Sequence, residues 1–225
     1  MKMLIELAEV NQFFCILKMT KEIPMTIENK LGITNSAELA KEEERLSKMQ
    51  AIKLFESDAL ANLPAGKFST LAFIHEYLFH DIYSFAGEIR DVNIAKGNFR
   101  FAPLMYLREA LQHLDAMPQG SFDEIVEKYV EMNIAHPFRE GNGRSMRIWL
   151  DDMLKKELGQ CIDWSIVDKE DYLLAMERSP IRDIEIKHVL GKALTNNIAD
   201  RLTYMKGLDV SYHIEGYNAY KAEEL

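Results

Sequence analysis

One stretch of the chain decides both the fold and the site: residues 136–147, which have the sequence HPFREGNGRSMR. The run Gly141–Gly143 lets the backbone adopt positive φ angles and brings its amide groups close to a bound group. A helix is predicted to begin near Asn142, and the free N–H groups and positive dipole end of a helix N-terminus attract anions. The stretch therefore predicts an anion site between two helices.

The charged side chains of this stretch suit phosphate chemistry. Arg144 and Arg147 are three residues apart, so both guanidiniums are expected on one side of the first helical turns, where they can bind phosphate. Glu140 offers a hard oxygen ligand for a Mg²⁺ ion that also bridges phosphates. His136 can accept a proton from a nucleophile near neutral pH. Each residue alone is more often an ordinary turn or surface residue, but together they favour phosphoryl or nucleotidyl transfer.

Helical periodicity dominates the rest of the chain. The predicted helices are 42–56 with Leu46, Met49, Ile52 and Phe55 inward, 69–83 with Ser69 as N-cap, 105–117, 122–136 after a capping box at Ser121–Glu124, and 142–158 with Gly159 as its stop. The acidic run Glu42–Glu44 is predicted to be solvated. Residues 184–206 predict one or two helices, and Gly207 is expected to break the chain before a short helix at about 211–220. The predicted fold class is therefore all-α.

Residues 92–101 are the exception to this helical pattern. Apolar residues alternate with polar ones at 92–94 and again at 99–101, and Lys96-Gly97-Asn98 lies between them. This arrangement is typical of a β-hairpin. A single hairpin in an otherwise helical chain indicates a function other than building a core.

The composition excludes several classes of protein. The chain has 225 residues, with 27 Lys plus Arg and 36 Asp plus Glu, a formal net charge of −9. Direct nucleic-acid binding is not expected, because it needs clustered basic residues. No apolar run is long enough to span a membrane. Two cysteines, Cys15 and Cys161, cannot form a disulfide framework, so a reducing cytoplasmic location is expected.

The stretch 136–147 resembles the signature of the Fic family, HxFx(D/E)GNGRxxR, and matches each specified position. Segment 74–90, which contains IHEYLF and IYSFAGEIR, and the hairpin after it are also Fic-like. The resemblance is closest to small stand-alone bacterial Fic proteins such as the Neisseria one. It implies a helical Fic bundle with one β-hairpin, divided into an N-terminal appendage at 1–25, a core at 26–207 and a C-terminal inhibitory helix at 208–225.

Fic enzymes typically transfer AMP from ATP to a hydroxyl of a target protein, so the resemblance implies ATP as substrate and Mg²⁺ as cofactor. It implies that His136 is the general base toward a Ser, Thr or Tyr hydroxyl and that Glu140 holds Mg²⁺ on the α- and β-phosphates. Arg144 is expected to grip the β- and γ-phosphates and Arg147 the γ-phosphate. The residues expected around the nucleotide are Lys96, Asn133, Ile134, Ala135, His136, Gly141, Asn142, Gly143, Arg144, Ser145, Met146, Arg147 and Ser211.

Related chemistries stay open at this point. The Doc branch of the family lacks the second glycine and moves a phosphate, whereas Gly143 is present here and favours AMP transfer. Relatives that move UMP or phosphocholine keep much of the motif. The same site could also remove AMP from a modified protein, or bind nucleotide as a non-catalytic regulatory module.

The hairpin matches the segment with which Fic enzymes bind their targets. Its exposed edge can pair with an extended target segment by strand addition, which positions a hydroxyl without reading much sequence. The expected docking residues are Lys96, Gly97, Asn98, Phe99, Arg100 and Phe101. Lys96 is either close to the nucleotide as well or an ordinary solvated turn residue.

Residues 211–216, SYHIEG, resemble the Fic inhibitory motif (S/T)xxxE(G/N). The resemblance implies that Glu215 pairs with Arg147, holds it away from ATP and repels the γ-phosphate. Ser211 lies one helical turn before Glu215 on the same face, and Gly216 completes the motif. Tyr212 is either a hydroxyl that the enzyme modifies on itself or an aromatic anchor that packs the helix on the core. Some relatives self-associate, so a homo-oligomer is an open alternative.

Overall fold

The computed structural model describes residues 26–97 and 99–225, so the predictions for the appendage at 1–25 and for Asn98 lie outside the described residues. Eight α-helices occur in this part of the chain: α1 Ser36–Glu56, α2 Phe68–Phe79, α3 Leu104–Ala116, α4 Phe122–Ala135, α5 Asn142–Leu158, α6 Lys169–Arg178, α7 Ile184–Lys192 and α8 Arg201–Ile214. Two antiparallel strand pairs accompany them: β1 Ala95–Lys96 with β2 Phe99–Arg100, and β3 Cys161–Ile162 with β4 Leu194–Thr195. The predicted helical class with a β-hairpin is confirmed. None of these helices is long and apolar enough to cross a membrane.

Helix α5 runs through the centre of the core, between α2 and α4. Its residues Trp149, Leu150 and Met153 are fully buried. At its C-terminus, Gly159 takes the left-handed conformation (φ 66°) that ends a helix without Cβ strain, as predicted. Because α5 begins at the glycine run, the core fixes the position of the predicted anion site.

Helix α4 begins and ends as predicted. The hydroxyl of Ser121 accepts a hydrogen bond from the amide of Glu124, and the Glu124 carboxylate accepts one from the amide of Ser121. His136 follows the last helical residue in the left-handed conformation (φ 49°), and Pro137 prevents the helix from continuing. The imidazole of His136 is thereby attached to the end of a regular helix.

Helix α1 departs from its prediction at its start and on its buried face. It begins earlier because the side chain of Asn35 accepts two amide hydrogen bonds of the first turn. The charged residues Glu43, Glu44 and Lys48 are buried. Of the four apolar residues predicted to face inward, Ile52 alone is buried. The prediction of a solvated acidic run is therefore wrong for two of its three members. Ion pairs with buried cations offset the cost of removing these carboxylates from water.

Helix α2 begins at Phe68, before the predicted N-cap Ser69. The carboxylate of Asp115, on the neighbouring α3, accepts a hydrogen bond from the Phe68 amide (2.6 Å) and so caps the helix from outside. The helix was predicted to reach Tyr83 but ends at Phe79. Tyr83 is nevertheless buried, in the turn that follows. A cap supplied by another helix is invisible in the local sequence pattern.

Helix α8 runs without a break through Gly207, where both a break and a domain boundary were predicted. A Cβ on Gly207 would lie 3.1 Å from the Cβ of Trp164, so this glycine allows close packing of α8 and does not form a turn. The helix ends at Ile214, and the predicted short helix at 211–220 is therefore only its last turn. The predicted C-terminal unit begins within a helix.

The region between α5 and α7 contains elements that the sequence pattern did not indicate: β3, a short 3₁₀ helix at Trp164–Ile166, and α6. The carboxylate of Asp151, on α5, accepts hydrogen bonds from the amide of Ile162 and the indole of Trp164, both at 2.9 Å. These two contacts attach the region to the central helix. Burial raises the pKa of Asp151 to about 6.

The β-hairpin is present but shorter than predicted, with Lys96 opposite Phe99 in the register. Gly97 takes a positive φ of 59° in its turn. Just after the hairpin, the amide of Ala102 donates to the carbonyl of Ile134 (2.9 Å). The hairpin therefore lies beside the C-terminal end of α4 and close to His136.

Candidate active site

The backbone amides of Gly141–Gly143, which we call the nest, begin the central helix α5. Gly141 has a φ of 76°, and a Cβ there would lie 2.4 Å from the ring of Phe79, so only glycine fits this position. A Cβ on Gly143 would lie 2.1 Å from Oε1 of Glu215. The Glu215 carboxylate therefore lies against the nest, at the positive end of the α5 dipole. A carboxylate of the chain itself occupies the predicted anion position.

The side chain of Asn142 closes the loop before the nest. Its Oδ1 accepts a hydrogen bond from the amide of Phe138 (2.9 Å), and its Nδ2 donates to the carbonyl of the same residue (2.8 Å). The side chain is also buried. It shapes the loop, and its predicted contact with phosphate is limited to the backbone amide.

The imidazole of His136 stacks on Phe101 of the hairpin, with 3.7 Å between ring centroids and 18° between planes. Nδ1 lies 3.3 Å from the carbonyl oxygen of Asn133. Because a carbonyl only accepts, Nδ1 carries the proton and Nε2 has the free lone pair. Burial lowers the pKa of His136 to about 4. The ring is therefore neutral at pH 7 and able to accept a proton at Nε2, as a general base must.

Glu140 lies immediately before the nest, and its side chain is 44% exposed. Its Oε1 accepts hydrogen bonds from the amide of Gly141 (2.9 Å) and from Arg144 (3.1 Å). The described residues include no group of three His, Cys, Asp or Glu side chains that could hold a metal. A half-exposed carboxylate beside an anion site still fits Mg²⁺, which proteins often bind through one or two carboxylates plus substrate phosphates.

Arg147 is held by residues 211–216, which we call the inhibitory segment. Its Nε donates to Oγ of Ser211 (2.7 Å), and its Nη2 donates to the carbonyl of Ser211 (2.8 Å) and to Oε1 of Glu215 (2.9 Å). The Arg147 side chain is 3% exposed. The ion pair that the resemblance implies is present, and Ser211 adds two hydrogen bonds to it. Gly216 ends the segment with a positive φ of 95°.

The carboxylate of Glu215 is ionised in this position. Burial alone would raise its pKa, but the charges of Arg147 and Lys96 outweigh burial and bring the pKa of Glu215 to about 2. Nζ of Lys96 lies 3.8 Å from Oε2 of Glu215, although the lysine side chain is 73% exposed. Lys96 is thus both largely solvated and close to Glu215, and its contact with a nucleotide stays a prediction.

Arg144 is buried like Arg147 but pairs with different residues. Its side chain is 1% exposed, and Nη2 pairs with the carboxylates of Glu43 and Glu140. Nε and Nη1 have no hydrogen-bond partner among the described residues. Three aromatic rings lie 4.6–5.4 Å from the guanidinium, those of Phe79, Tyr212 and Tyr217. The pair with Glu43 holds this guanidinium in the core, and its predicted grip on the β- and γ-phosphates stays a prediction.

Glu43 is the residue of this site that the sequence analysis missed. Besides Arg144, its carboxylate accepts hydrogen bonds from the hydroxyls of Tyr83 and Tyr217. Three partners make its burial tolerable. Arg144 lies 101 positions away in the sequence, so no local pattern distinguishes Glu43 from its acidic neighbours.

The other predicted nucleotide contacts fall into two groups. Asn133 and Ile134 are half-buried at the end of α4, where the carbonyl of Asn133 faces Nδ1 of His136 and the carbonyl of Ile134 accepts from the amide of Ala102. Ala135, Ser145 and Met146 are buried, so their side chains do not line an open site. Their predicted contact with the nucleotide stays a prediction, which their backbone groups would have to make.

Tyr212 is fully buried, and its hydroxyl donates to Oγ of Ser47 on α1 (2.9 Å). This is the anchor alternative, in which the ring packs α8 on the core. Self-modification of the hydroxyl would require α8 to leave its place. In the hairpin, Lys96, Gly97 and Arg100 are exposed while Phe99 and Phe101 are half-buried; target docking there stays a prediction.

The fold and the site together define a helical protein with a neutral base beside an anion nest. A family model described as Fic/DOC family matches residues 67–154. A probable protein adenylyltransferase of Sinorhizobium fredii, y4lH, is 31% identical over 140 residues, which are 56% of this chain and 72% of that protein. The chain belongs to the Fic/DOC family.

A longer relative and a solved structure extend this comparison. The protein adenylyltransferase VbhT of Bartonella schoenbuchensis is 31% identical over 201 residues, which are 83% of this chain but 40% of that protein, so the chain spans less than half of its length. The crystal structure of BepC from Bartonella tribocorum, with bound AMPPNP, has a TM-score of 0.63 at 19% identity and covers 77% of this chain and 94% of that one. The predicted family and fold are confirmed, and the predicted class of enzyme, a nucleotidyltransferase, agrees with the names of these relatives. The Neisseria similarity stays a prediction.

Proposed function

We propose that the protein transfers AMP from ATP to a hydroxyl of a target protein and that its C-terminal segment inhibits this reaction. The observation that carries the proposal is the neutral imidazole of His136, which lies five residues before the nest at the start of helix α5. The half-exposed carboxylate of Glu140 lies next to that nest. The names of the relatives and the AMPPNP bound to BepC support AMP as the transferred group and ATP as its donor.

The reaction needs a base and an anion site around one phosphorus atom. The target hydroxyl oxygen attacks the α-phosphorus of ATP, its proton passes to Nε2 of His136, and the bond to the bridging oxygen breaks, so that pyrophosphate leaves. The nest amides and the α5 dipole stabilise negative charge on the phosphates. Mg²⁺ bound at Glu140 would neutralise further phosphate charge. Arg147 would bind the γ-phosphate once Glu215 has released it.

The inhibitory segment competes with ATP for the same groups. Glu215 lies against the nest and pairs with Arg147, so its carboxylate uses the two positive features that the triphosphate needs. Two anions in one site repel each other, and burial strengthens that repulsion. ATP can therefore bind productively only after Glu215 has moved. Because the pKa of Glu215 is about 2, inhibition is not relieved by mild acid.

We place the target at the hairpin. Phe101 stacks directly on the imidazole of His136, and exposed Lys96 and Arg100 lie on the two short strands. A target segment added to a free strand edge would run beside the base, which suits transfer to many different hydroxyls. The hairpin orients the acceptor, while the nest orients the donor.

Transfer of label from ATP labelled on its α-phosphate tests the proposal in a cell lysate. The Glu215→Gly chain is expected to label protein, and the Glu215→Gly, His136→Ala chain is expected not to. Glu223→Gly, which removes an exposed carboxylate of the same C-terminal region, is the matched control and should label no more than the unchanged chain. ATP binding by Glu215→Gly without any transfer would contradict AMP transfer and support a non-catalytic module. Release of AMP from a pre-modified target would instead support the AMP-removal alternative.

A further inference from the structure

Arg90 lies between α2 and β1, and only 2% of it is exposed. Its guanidinium donates four hydrogen bonds, and every acceptor is a backbone carbonyl. The acceptors are those of His136 at 2.8 Å from Nε, Val92 at 2.7 Å from Nη1, and Ala102 at 2.5 Å and Ala135 at 3.2 Å from Nη2. These carbonyls come from two separate parts of the active site.

Two of the carbonyls, those of Ala135 and His136, lie at the C-terminal end of α4. The last carbonyls of a helix have no partner within it, and a cation there is favourable. The amide of Arg90 also donates to the carbonyl of Pro137 (2.8 Å). His136 has a positive φ of 49°, a conformation that is unfavourable for a non-glycine residue. Arg90 therefore holds the turn that orients the imidazole.

The other two carbonyls belong to the two stems of the hairpin. Val92 lies where the hairpin region begins, and Ala102 directly follows Phe101, whose ring stacks on His136. One guanidinium therefore joins both stems of the hairpin to the end of α4. Together with the Phe101–His136 stack and the Ala102–Ile134 hydrogen bond, this side chain fixes the base relative to the hairpin.

The charge of Arg90 has no acidic partner in the part of the chain that the structure describes. Burial is the only cause that shifts the pKa of Arg90, and it lowers it. A buried cation without a counter-ion carries a desolvation cost that its hydrogen bonds must offset. A residue that served packing alone would avoid this cost with a neutral side chain.

We propose that Arg90 is a positioning residue for AMP transfer, which fixes the His136 imidazole and the hairpin relative to each other through four backbone carbonyls. It is not a catalytic residue, because its contacts are with the backbone and not with reacting groups. The kinetic part of its test rests on the proposed function, and the spectroscopic part does not.

The kinetic test compares Arg90→Lys with its parent in the Glu215→Gly chain. A lysine keeps the charge, but its single nitrogen cannot reach four carbonyls in a fixed fork. We expect kcat to fall about ten- to hundredfold while KM for ATP changes less than about threefold, because none of the four carbonyls belongs to the nest. Arg108→Lys, at an exposed position on α3, is the matched control and should change neither constant. Equal losses of kcat and ATP affinity would indicate general damage and overturn the proposal.

The spectroscopic test is an NMR titration of the His136 imidazole, which needs no activity. Its pKa is about 4 and is expected to rise toward 6.5 in Arg90→Lys, because a loosened ring is less buried. An unchanged pKa together with an unchanged kcat would overturn the proposal. If the Glu215→Gly parent transfers no AMP, the proposed function fails and the titration alone decides the role of Arg90. If Arg90→Lys does not fold, Phe101→Leu replaces it in the titration. This variant keeps Arg90 but removes the stacked ring, and it should raise the pKa of His136 by less.

A second, independent observation concerns a polar cluster that holds the C-terminal residues against α1. Lys48 is 1% exposed, and its Nζ donates to Glu44 (3.1 Å), to Asp209 on α8 (3.1 Å) and to the carbonyl of Tyr220 (2.7 Å). The Glu44 carboxylate accepts hydrogen bonds from the amides of Ala219 (2.8 Å) and Tyr220 (3.2 Å). These contacts fall before and after the inhibitory segment in the sequence, and they do not involve Glu215.

We infer that this cluster is a latch that keeps the inhibitory segment docked, given the proposed inhibition by Glu215. Glu44→Gln and Lys48→Met should each raise AMP transfer about three- to tenfold while Glu215 is intact, and should add nothing in the Glu215→Gly chain. Glu42→Gln is the matched control, since Glu42 belongs to the same acidic run but, among residues 26–97 and 99–225, pairs with half-exposed Arg45 and with no residue of the cluster.

The outcomes of this test separate the latch from the inhibition itself. No rise from either latch variant, when Glu215→Gly does activate, would overturn the latch and leave the inhibition in place. No rise from Glu215→Gly would overturn the inhibition. A further rise on top of Glu215→Gly would show that the cluster restrains activity by another route and would also contradict the latch.

Discussion

Arg144 and Arg147 lie three residues apart on one helix, but different parts of the molecule hold them. Arg144 pairs with the buried Glu43 on α1 and with the half-exposed Glu140 beside the nest. Arg147 pairs with Glu215, at the C-terminal end of α8. An arginine that the core holds is part of the fold, whereas an arginine held by a terminal segment can be released. Under the proposed function, Arg144 therefore serves the fold and Arg147 serves regulated nucleotide binding.

The largest expected effect is the loss of stability when the core arginine is removed. Arg144→Met leaves the buried Glu43 carboxylate without its cation, and breaking a buried pair in this way costs about 3–5 kcal/mol. Arg147→Met should cost about 1–2 kcal/mol, because the Glu215 side chain is 22% exposed and can move into water. Urea denaturation measures both free energies of unfolding. Equal losses would remove the distinction between the two arginines, and Glu43→Gln should restore part of the Arg144→Met loss.

The next effect is on activity, and it distinguishes the two carboxylates. Glu215→Gln should raise the initial rate of AMP transfer about ten- to hundredfold, equivalent to about 1.4–2.7 kcal/mol, because Arg147 and the nest become available to ATP. Glu43→Gln should not raise it, because Arg144 stays buried. The measurement is incorporation of labelled AMP by both variants at equal folded concentration. Activation by Glu43→Gln would show that Arg144 also binds phosphate and that the core contact is inhibitory as well.

A smaller effect is the pH dependence of the Glu215–Arg147 pair. The pKa of Glu215 is lowered from 4.5 to about 2 in the folded chain, so its stabilisation is present above about pH 4.5 and is lost as the pH falls toward 2. Because the Glu215 side chain is 22% exposed and partly screened by solvent, we expect its ionised form to contribute about 1–2 kcal/mol to the free energy of unfolding. The free energy of unfolding of the unchanged chain should exceed that of Glu215→Gln at pH 6, and the difference should shrink by pH 3. A difference that grows in acid would have the wrong sign.

The smallest effect is expected near neutral pH, where the base does not titrate. The pKa of His136 is lowered to about 4, and Glu215 raises it, so Glu215→Gly should lower it further. The rate of AMP transfer by that variant should stay level from pH 8 to about pH 5 and fall only below about pH 4, as the ring takes up a proton. A pH–rate profile that falls near 6.5 would indicate a solvated imidazole that is not stacked on Phe101.

The parts of the site that are close together in sequence could be predicted. Ser121 and Glu124 predict the start of α4, and Pro137 predicts its end. The glycine run predicts the start of α5. These predictions succeed because helix caps and helix breakers act within a few residues. The resemblance of residues 211–216 to the Fic inhibitory motif implied the pair of Glu215 with Arg147, which is present. Here the family resemblance supplied the partner that local physics could not.

The remaining parts depend on contacts between distant residues. Glu43 belongs to an acidic run that is ordinary in itself, and its role appears only when Arg144 and two tyrosine hydroxyls surround it. Gly207 was predicted to break the helix because glycine is a poor helix former, but it allows α8 to approach Trp164. Arg90 has four carbonyl partners that no side-chain pattern reveals. In each case the role of the residue depends on burial against a neighbour that is distant in the sequence.

The most direct test is a crystal structure of the Glu215→Gly chain with Mg²⁺ and a non-hydrolysable ATP analogue. We expect the phosphates on the amides of the nest, the γ-phosphate on Arg147, and the α-phosphorus facing Nε2 of His136. Arg144 should remain paired with Glu43. A triphosphate bound away from the start of α5, or an imidazole turned from the α-phosphorus, would contradict the account.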